Sequence, residues 1–117
     1  MNYMLLIYGE APGTTPMTDD EMSAMMGEYF AFTQAILASG EMVSGEALEA
    51  PDTATTVTVR NGTKVVTDGP YAETKEVLGG YYIVKVDSLE RAQELASQIP
   101  GAKQGRIEVR PVMEFPA

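Results

Sequence analysis

The sequence predicts an α+β fold in one domain over residues 1–117: a split β-α-β arrangement carrying an inserted β-hairpin. Three observations lead to it. Two strongly apolar stretches, residues 2–8 and 80–86, have strand length and each is followed by a helix signal. Asn61-Gly62 separates two β-rich runs, which is the strongest short hairpin cue because both turn residues need positive φ. A last alternating run, residues 105–112, follows the second helix. The resulting order is β-α-β, a hairpin, then β-α-β, the ferredoxin-like pattern with an insertion.

Each element has its own reason. In NYMLLIY (2–8), Tyr3, Leu5 and Ile7 point one way and Met4, Leu6 and Tyr8 the other, as in a strand covered on both faces. Residues 10–17 read as a turn-rich loop with Pro12, Gly13 and Pro16. Thr18 and Glu21 form a capping box at the start of a helix. Its expected buried stripe is Met22, Met25, Met26, Tyr29, Phe32, Thr33, Ile36 and Leu37, and Gly40 stops it. Residues 41–47 are a short strand loosened by Gly45, and Pro51 marks a loop. The hairpin pairs residues 55–60 with 63–67, and residues 68–80 are a structured loop. Asp87 is the expected cap of the second helix, with Leu89, Ala92, Leu95, Ala96 and Ile99 inward and Pro100-Gly101 as its stop. In the last strand Ile107 and Val109 face inward, and Glu108 and Arg110 outward.

In this topology the two doubly apolar strands are central. Two helices cover only one face of the sheet. The other face is left with large residues, Tyr8 and Tyr82 among the candidates. An apolar patch of that size favours pairing with a second copy, so a two-fold homodimer is expected.

Composition narrows the chemistry. The chain has no cysteine and no histidine, which removes disulfides, thiolate nucleophiles, Cys- or His-ligated metals and imidazole acid/base catalysis. The absence of cysteine suits a reducing cytoplasm, the expected location. No leader or membrane-spanning stretch is expected. The net charge is −9, and residues 1–59 hold nine acids and no base. A phosphate backbone would be repelled by that half, so no nucleic-acid partner is expected. Asp19, Asp20 and Glu21 suit a helix cap better than a calcium loop, and no metal or cofactor is expected.

The densest polar segment is Asp68-Gly69-Pro70-Tyr71-Ala72-Glu73-Thr74-Lys75-Glu76. Asp, Gly and Pro are turn chemistry; Tyr71, Glu73 and Lys75 exceed what a turn requires. Asp68 is the candidate catalytic residue, a general base if buried in a cleft, against a turn-forming role. Candidate ligand-binding residues are Tyr71, Glu73, Lys75, Tyr8, Tyr82 and Arg110, with Glu46 a further residue for the cleft. Lys75 and Arg110 would take an anion; ion pairing with neighbouring acids is the plainer role for each.

TDGPYAETKEVLGGYY (67–82), preceded by ATTVTVR (54–60) and followed by IEVRPVMEF (107–115), resembles the DGPF branch of the YCII-related proteins. The family word is usually Asp-Gly-Pro-Phe; here Tyr71 stands in the last place. The resemblance runs from the opening YMLLIY to the closing VRPVMEF. It implies a ferredoxin-like fold that dimerises into an α+β barrel, with a cleft on the sheet face away from the helices. The His and Asp pair proposed as the active site of the broader family cannot form in a chain without histidine. Relatives are often encoded beside extracytoplasmic-function sigma factors.

Two functions follow as expectations. One is a small-molecule-binding protein, a candidate cofactor-free enzyme, with a cleft beside the Asp68-to-Lys75 loop. The other is a non-catalytic interaction or regulatory module acting through the acidic helix face.

Overall fold

A computed structural model describes residues 1–11 and 17–116. The turn-rich segment expected over residues 10–17 lies largely outside the described residues. The elements are β1 (Asn2–Glu10), α1 (Asp19–Ala38), β2 (Met42–Ala47), β3 (Thr55–Arg60), β4 (Thr63–Asp68), β5 (Glu76–Lys85), α2 (Leu89–Gln98) and β6 (Arg106–Pro111), with short 3₁₀ turns at Pro51–Thr53 and Pro100–Lys103. β2, β5, β1 and β6 form a four-stranded sheet in that order, all neighbours antiparallel. This is the ferredoxin-like order, with β1 and β5 central as expected. β3 and β4 form a separate two-stranded ribbon.

Local signals behave as the residues dictate. Thr18 Oγ1 accepts from the Glu21 N–H at 3.1 Å, and Glu21 accepts from the Thr18 N–H at 3.3 Å, closing the capping box. Asn61 and Gly62 have φ of 51° and 76°, the left-handed pair the hairpin needs. Two boundaries differ from expectation. Ser88, not Asp87, caps α2, accepting from the Arg91 N–H at 3.1 Å. β5 starts at Glu76, four residues before the expected Gly80, because residues 76–78 pair with the end of β1.

Both helices pack on one face. Tyr3 and Leu5 of β1, Tyr82 and Val84 of β5, and Val86 meet Phe32 and Ile36 of α1 and Ala92, Leu95, Ala96 and Ile99, all buried. Ile7, Ile107 and Val109 complete this layer. Tyr82 therefore lies on the helix side and not on the open face. Its ring meets Phe32 edge-on at 5.1 Å, and its hydroxyl shares a 2.8 Å hydrogen bond with Thr33. Parity is the reason: Tyr82 opposes Leu5, whereas Tyr81 opposes Leu6 on the other face. Gly45 makes room for that ring, since a Cβ there would fall 2.7 Å from a Tyr82 ring carbon.

The expected stripe of α1 divides. Phe32 and Ile36 are buried, but Met22, Met26 and Leu37 are exposed, as is Phe30. The sheet below is too narrow to cover so wide an apolar arc. Leu89 of the second expected stripe is likewise exposed. No described helix is long and apolar enough to cross a membrane.

One ion pair clamps α2 to the chain between α1 and β2. Arg91 donates from two guanidinium nitrogens to the two Glu41 oxygens, each at 2.8 Å, and a third bonds Glu94 at 2.9 Å. Ser39 also donates to Glu41 at 2.7 Å. The Arg91 hydrogen bonds first, and that of Ser39 second, hold the Glu41 carboxyl down at about 2. A depressed carboxyl contributes stability above its unfolded pKa and loses it as pH falls through the folded one. The pair's contribution is therefore expected to vanish between about pH 5 and about pH 2. Thermal melts across that range test this: Glu41→Gln should lower Tm at pH 7 and flatten the acid limb relative to wild type.

Candidate functional site

The sheet face away from the helices carries Met4, Leu6 and Tyr8 from β1 and Leu78, Tyr81 and Ile83 from β5, all half-buried. Charges rim it: Glu76 and Lys85 on β5, Glu46 on β2, and Arg106, Glu108 and Arg110 on β6. At one end a shallow concavity of about 450 Å³ is lined by Tyr8, Glu76, Arg106, Ile107 and Glu108. Tyr8 comes to it from β1, with Leu78 as its register partner on β5 and Arg106 on β6. Arg106 reaches across β1, placing Nε 3.3 Å from Glu76 Oε1. The arrangement sets one phenol beside one guanidinium and two carboxylates, Glu76 and Glu108. Arg106 is 82% exposed, so its free donors face solvent. The group can bind an anion or stack a planar ring.

Of the residues singled out from the sequence, Tyr8 lies in this concavity. Arg110 shares its face and pairs with Glu108 of its own strand at 3.7 Å, not across strands. Glu46 opposes Tyr81 on the same face. Tyr82 is on the opposite side. Asp68, Tyr71, Glu73 and Lys75 are exposed, and none of their side chains has a hydrogen bond or ion pair among the described residues. Tyr71 is 91% exposed, so it neither joins the core nor lines the concavity. The loop nonetheless returns to the sheet at Glu76, the residue that holds Arg106.

Glu76, Arg106 and Glu108 were not among the candidates. A signal for the β6 pair existed: with Ile107 and Val109 inward, Arg106, Glu108 and Arg110 must share the outer face. What no local pattern shows is that β6 lies beside Tyr8.

The family profile of the YCII-related domain matches residues 1–116. The chain belongs to the YCII-related family. An uncharacterised protein of Rhizobium meliloti (strain 1021) is 31% identical over 114 residues, which span 96% of this chain and 92% of that one. Among solved structures, the chain is similar to the 5-chloro-2-hydroxyhydroquinone dehydrochlorinase TftG of Burkholderia phenoliruptrix AC1100, in complex with 2,5-dihydroxybenzoquinone. The TM-score is 0.54 at 14% identity, over 98% of this chain and 96% of that chain. At that identity the likeness is one of fold.

In this YCII-related chain the Asp-Gly-Pro-Tyr word closes the base of the hairpin. Gly69 has φ of 98°, its N–H donates to the Ala54 carbonyl at 2.7 Å, and its carbonyl accepts from the Thr56 hydroxyl at 2.8 Å. Nothing lies within 4 Å of a Cβ placed on Gly69, so only backbone strain opposes a side chain there. Gly69→Ala is expected to cost about 1–2 kcal/mol in urea unfolding. Asp68→Ala should leave the urea midpoint unchanged, because its side chain holds nothing. A large loss with Asp68→Ala would show a structural role that this geometry lacks.

Proposed function

We propose that the open face of the sheet is a small-molecule-binding surface centred on Tyr8 and Arg106. The concavity there, lined by Tyr8 and by Arg106 on the neighbouring strand, carries the reading. Its chemistry favours a planar ring bearing an ionised hydroxyl or carboxyl group: Tyr8 supplies a stacking surface and Arg106 the countercharge. Support for the ring comes from TftG, a protein of like fold whose structure holds a dihydroxybenzoquinone. Without histidine or cysteine, the acid/base groups of this surface are its carboxylates, its phenols and Lys85. We propose further that a second copy covers the apolar remainder of the face at Leu6, Tyr81 and Ile83 and turns the shallow concavity into a cleft. Such a contact explains large apolar side chains on a face without a helix.

The test is a thermal-shift series with 2,5-dihydroxybenzoquinone and with benzoate. A ligand at a hundred times its Kd should raise Tm by on the order of 10 °C. Arg106→Ala should abolish the shift, and Asp68→Asn should retain it. An identical response from Arg106→Ala would sink this site; loss of the shift in Asp68→Asn alone would move it to the loop.

Light scattering tests the second copy. Wild type should run at twice the chain mass at micromolar concentration, and Ile83→Lys at the chain mass. A wild-type monomer would end the dimer reading.

A further inference from the structure

The β3–β4 hairpin stands apart from the body of its own chain. Neither strand pairs with the four-stranded sheet. Val57, Val59, Val65 and Val66 are 40–70% exposed. An isolated two-stranded ribbon is marginally stable in water, so this one needs a surface to lie on. The whole molecule shows the same deficit. Its radius of gyration is 16.4 Å, against about 13 Å for a compact chain of this length. Its accessible surface is 8594 Å², against about 6,200 Å² for a compact monomer of this mass. The excess is larger than the roughly 800 Å² that each partner gives to an ordinary protein interface.

A second uncovered surface has the matching properties. Met22, Met26, Phe30 and Leu37 are 46–66% exposed along α1. Their spacing of four, four and seven residues places them in one stripe beside the line of half-buried Tyr29 and buried Phe32 and Ile36. The stripe is about 22 Å long, and a six-residue hairpin strand is about 20 Å. On the hairpin, Val57 pairs with Val66 and shares its face with Val59 two residues on. The charges are opposite. α1 carries Asp19, Asp20, Glu21 and Glu28 and no base. The hairpin tip carries Arg60 and Lys64 and no acid, and neither cation has an ion pair among the described residues.

We infer that the β3–β4 hairpin is an exchanged arm: it seats Val57, Val59 and Val66 on the Met22, Met26, Phe30 and Leu37 stripe of a second copy, with Arg60 and Lys64 against the acidic start of that helix. The exchange is reciprocal, so each copy gives one arm and receives one. It requires a second copy, as the sheet-face reading does, but concerns a different surface and needs no ligand.

The chain has no cysteine, which makes site-directed crosslinking clean. V59C and M26C proteins are prepared separately, mixed and oxidised. The mixture should form a covalent heterodimer at least tenfold faster than either variant alone, and Arg60→Glu with Lys64→Glu in the V59C chain should slow it. Three results would overturn the arm. The double variant V59C/M26C could close as a monomer with an internal disulfide, placing the hairpin on its own helix. V59C alone could crosslink as fast as the mixture, placing arm on arm. The mixture could stay uncrosslinked while light scattering still shows a dimer; this result removes the arm and leaves the sheet-face dimer standing.

Discussion

Two helices cannot cover both sides of a four-stranded sheet, and that shortage of cover organises the whole molecule. β1 and β5 are apolar on both faces, and α1 and α2 lie on one. The helix side is closed by Tyr3, Leu5, Tyr82 and Val84 packed on Phe32, Ile36 and Leu95. Among the described residues, the other side keeps Leu6, Tyr8, Tyr81 and Ile83 without a layer above them. The physical demand for cover falls on that face first. The same shortage recurs on a smaller scale at α1 and at the hairpin, where apolar residues are presented to solvent in rows.

The family motif takes part in this economy as architecture. Gly69 turns the chain out of the hairpin, and the loop brings Glu76 back to the head of β5. Glu76 in turn steadies Arg106 across β1. The loop thus shapes the edge of the candidate site, while its own side chains at Asp68, Tyr71, Glu73 and Lys75 stay in solvent. The charged residues of the concavity come instead from strands, which hold them more rigidly than a loop would.

Much of the fold was legible because its signals are local. The capping box at Thr18 and Glu21, the Asn61-Gly62 turn and the alternation in β1 and β6 each need only a few neighbouring residues. The site was legible only in part. Tyr8 and Arg110 were visible by parity, but Tyr82 was placed on the wrong face. In an apolar strand such as β5, where Tyr81 and Tyr82 are adjacent, side-chain type does not reveal which residue points to the helices. That choice follows from the pairing of Leu5 with Tyr82, a contact between residues far apart in the chain.

The sequence by itself determined the element order, the doubly apolar central strands, the hairpin turn and the absence of thiol and imidazole chemistry. These depend on residue type and on spacing over a few positions. The tertiary structure alone decided the face of Tyr82, the meeting of Tyr8, Arg106 and Glu76, the clamp between Glu41 and Arg91, and the exposure of Met22, Met26 and Leu37 in the α1 stripe. Each of these depends on strand register or on the width of the sheet under a helix. Neither is encoded locally, because both arise only when distant segments pack together.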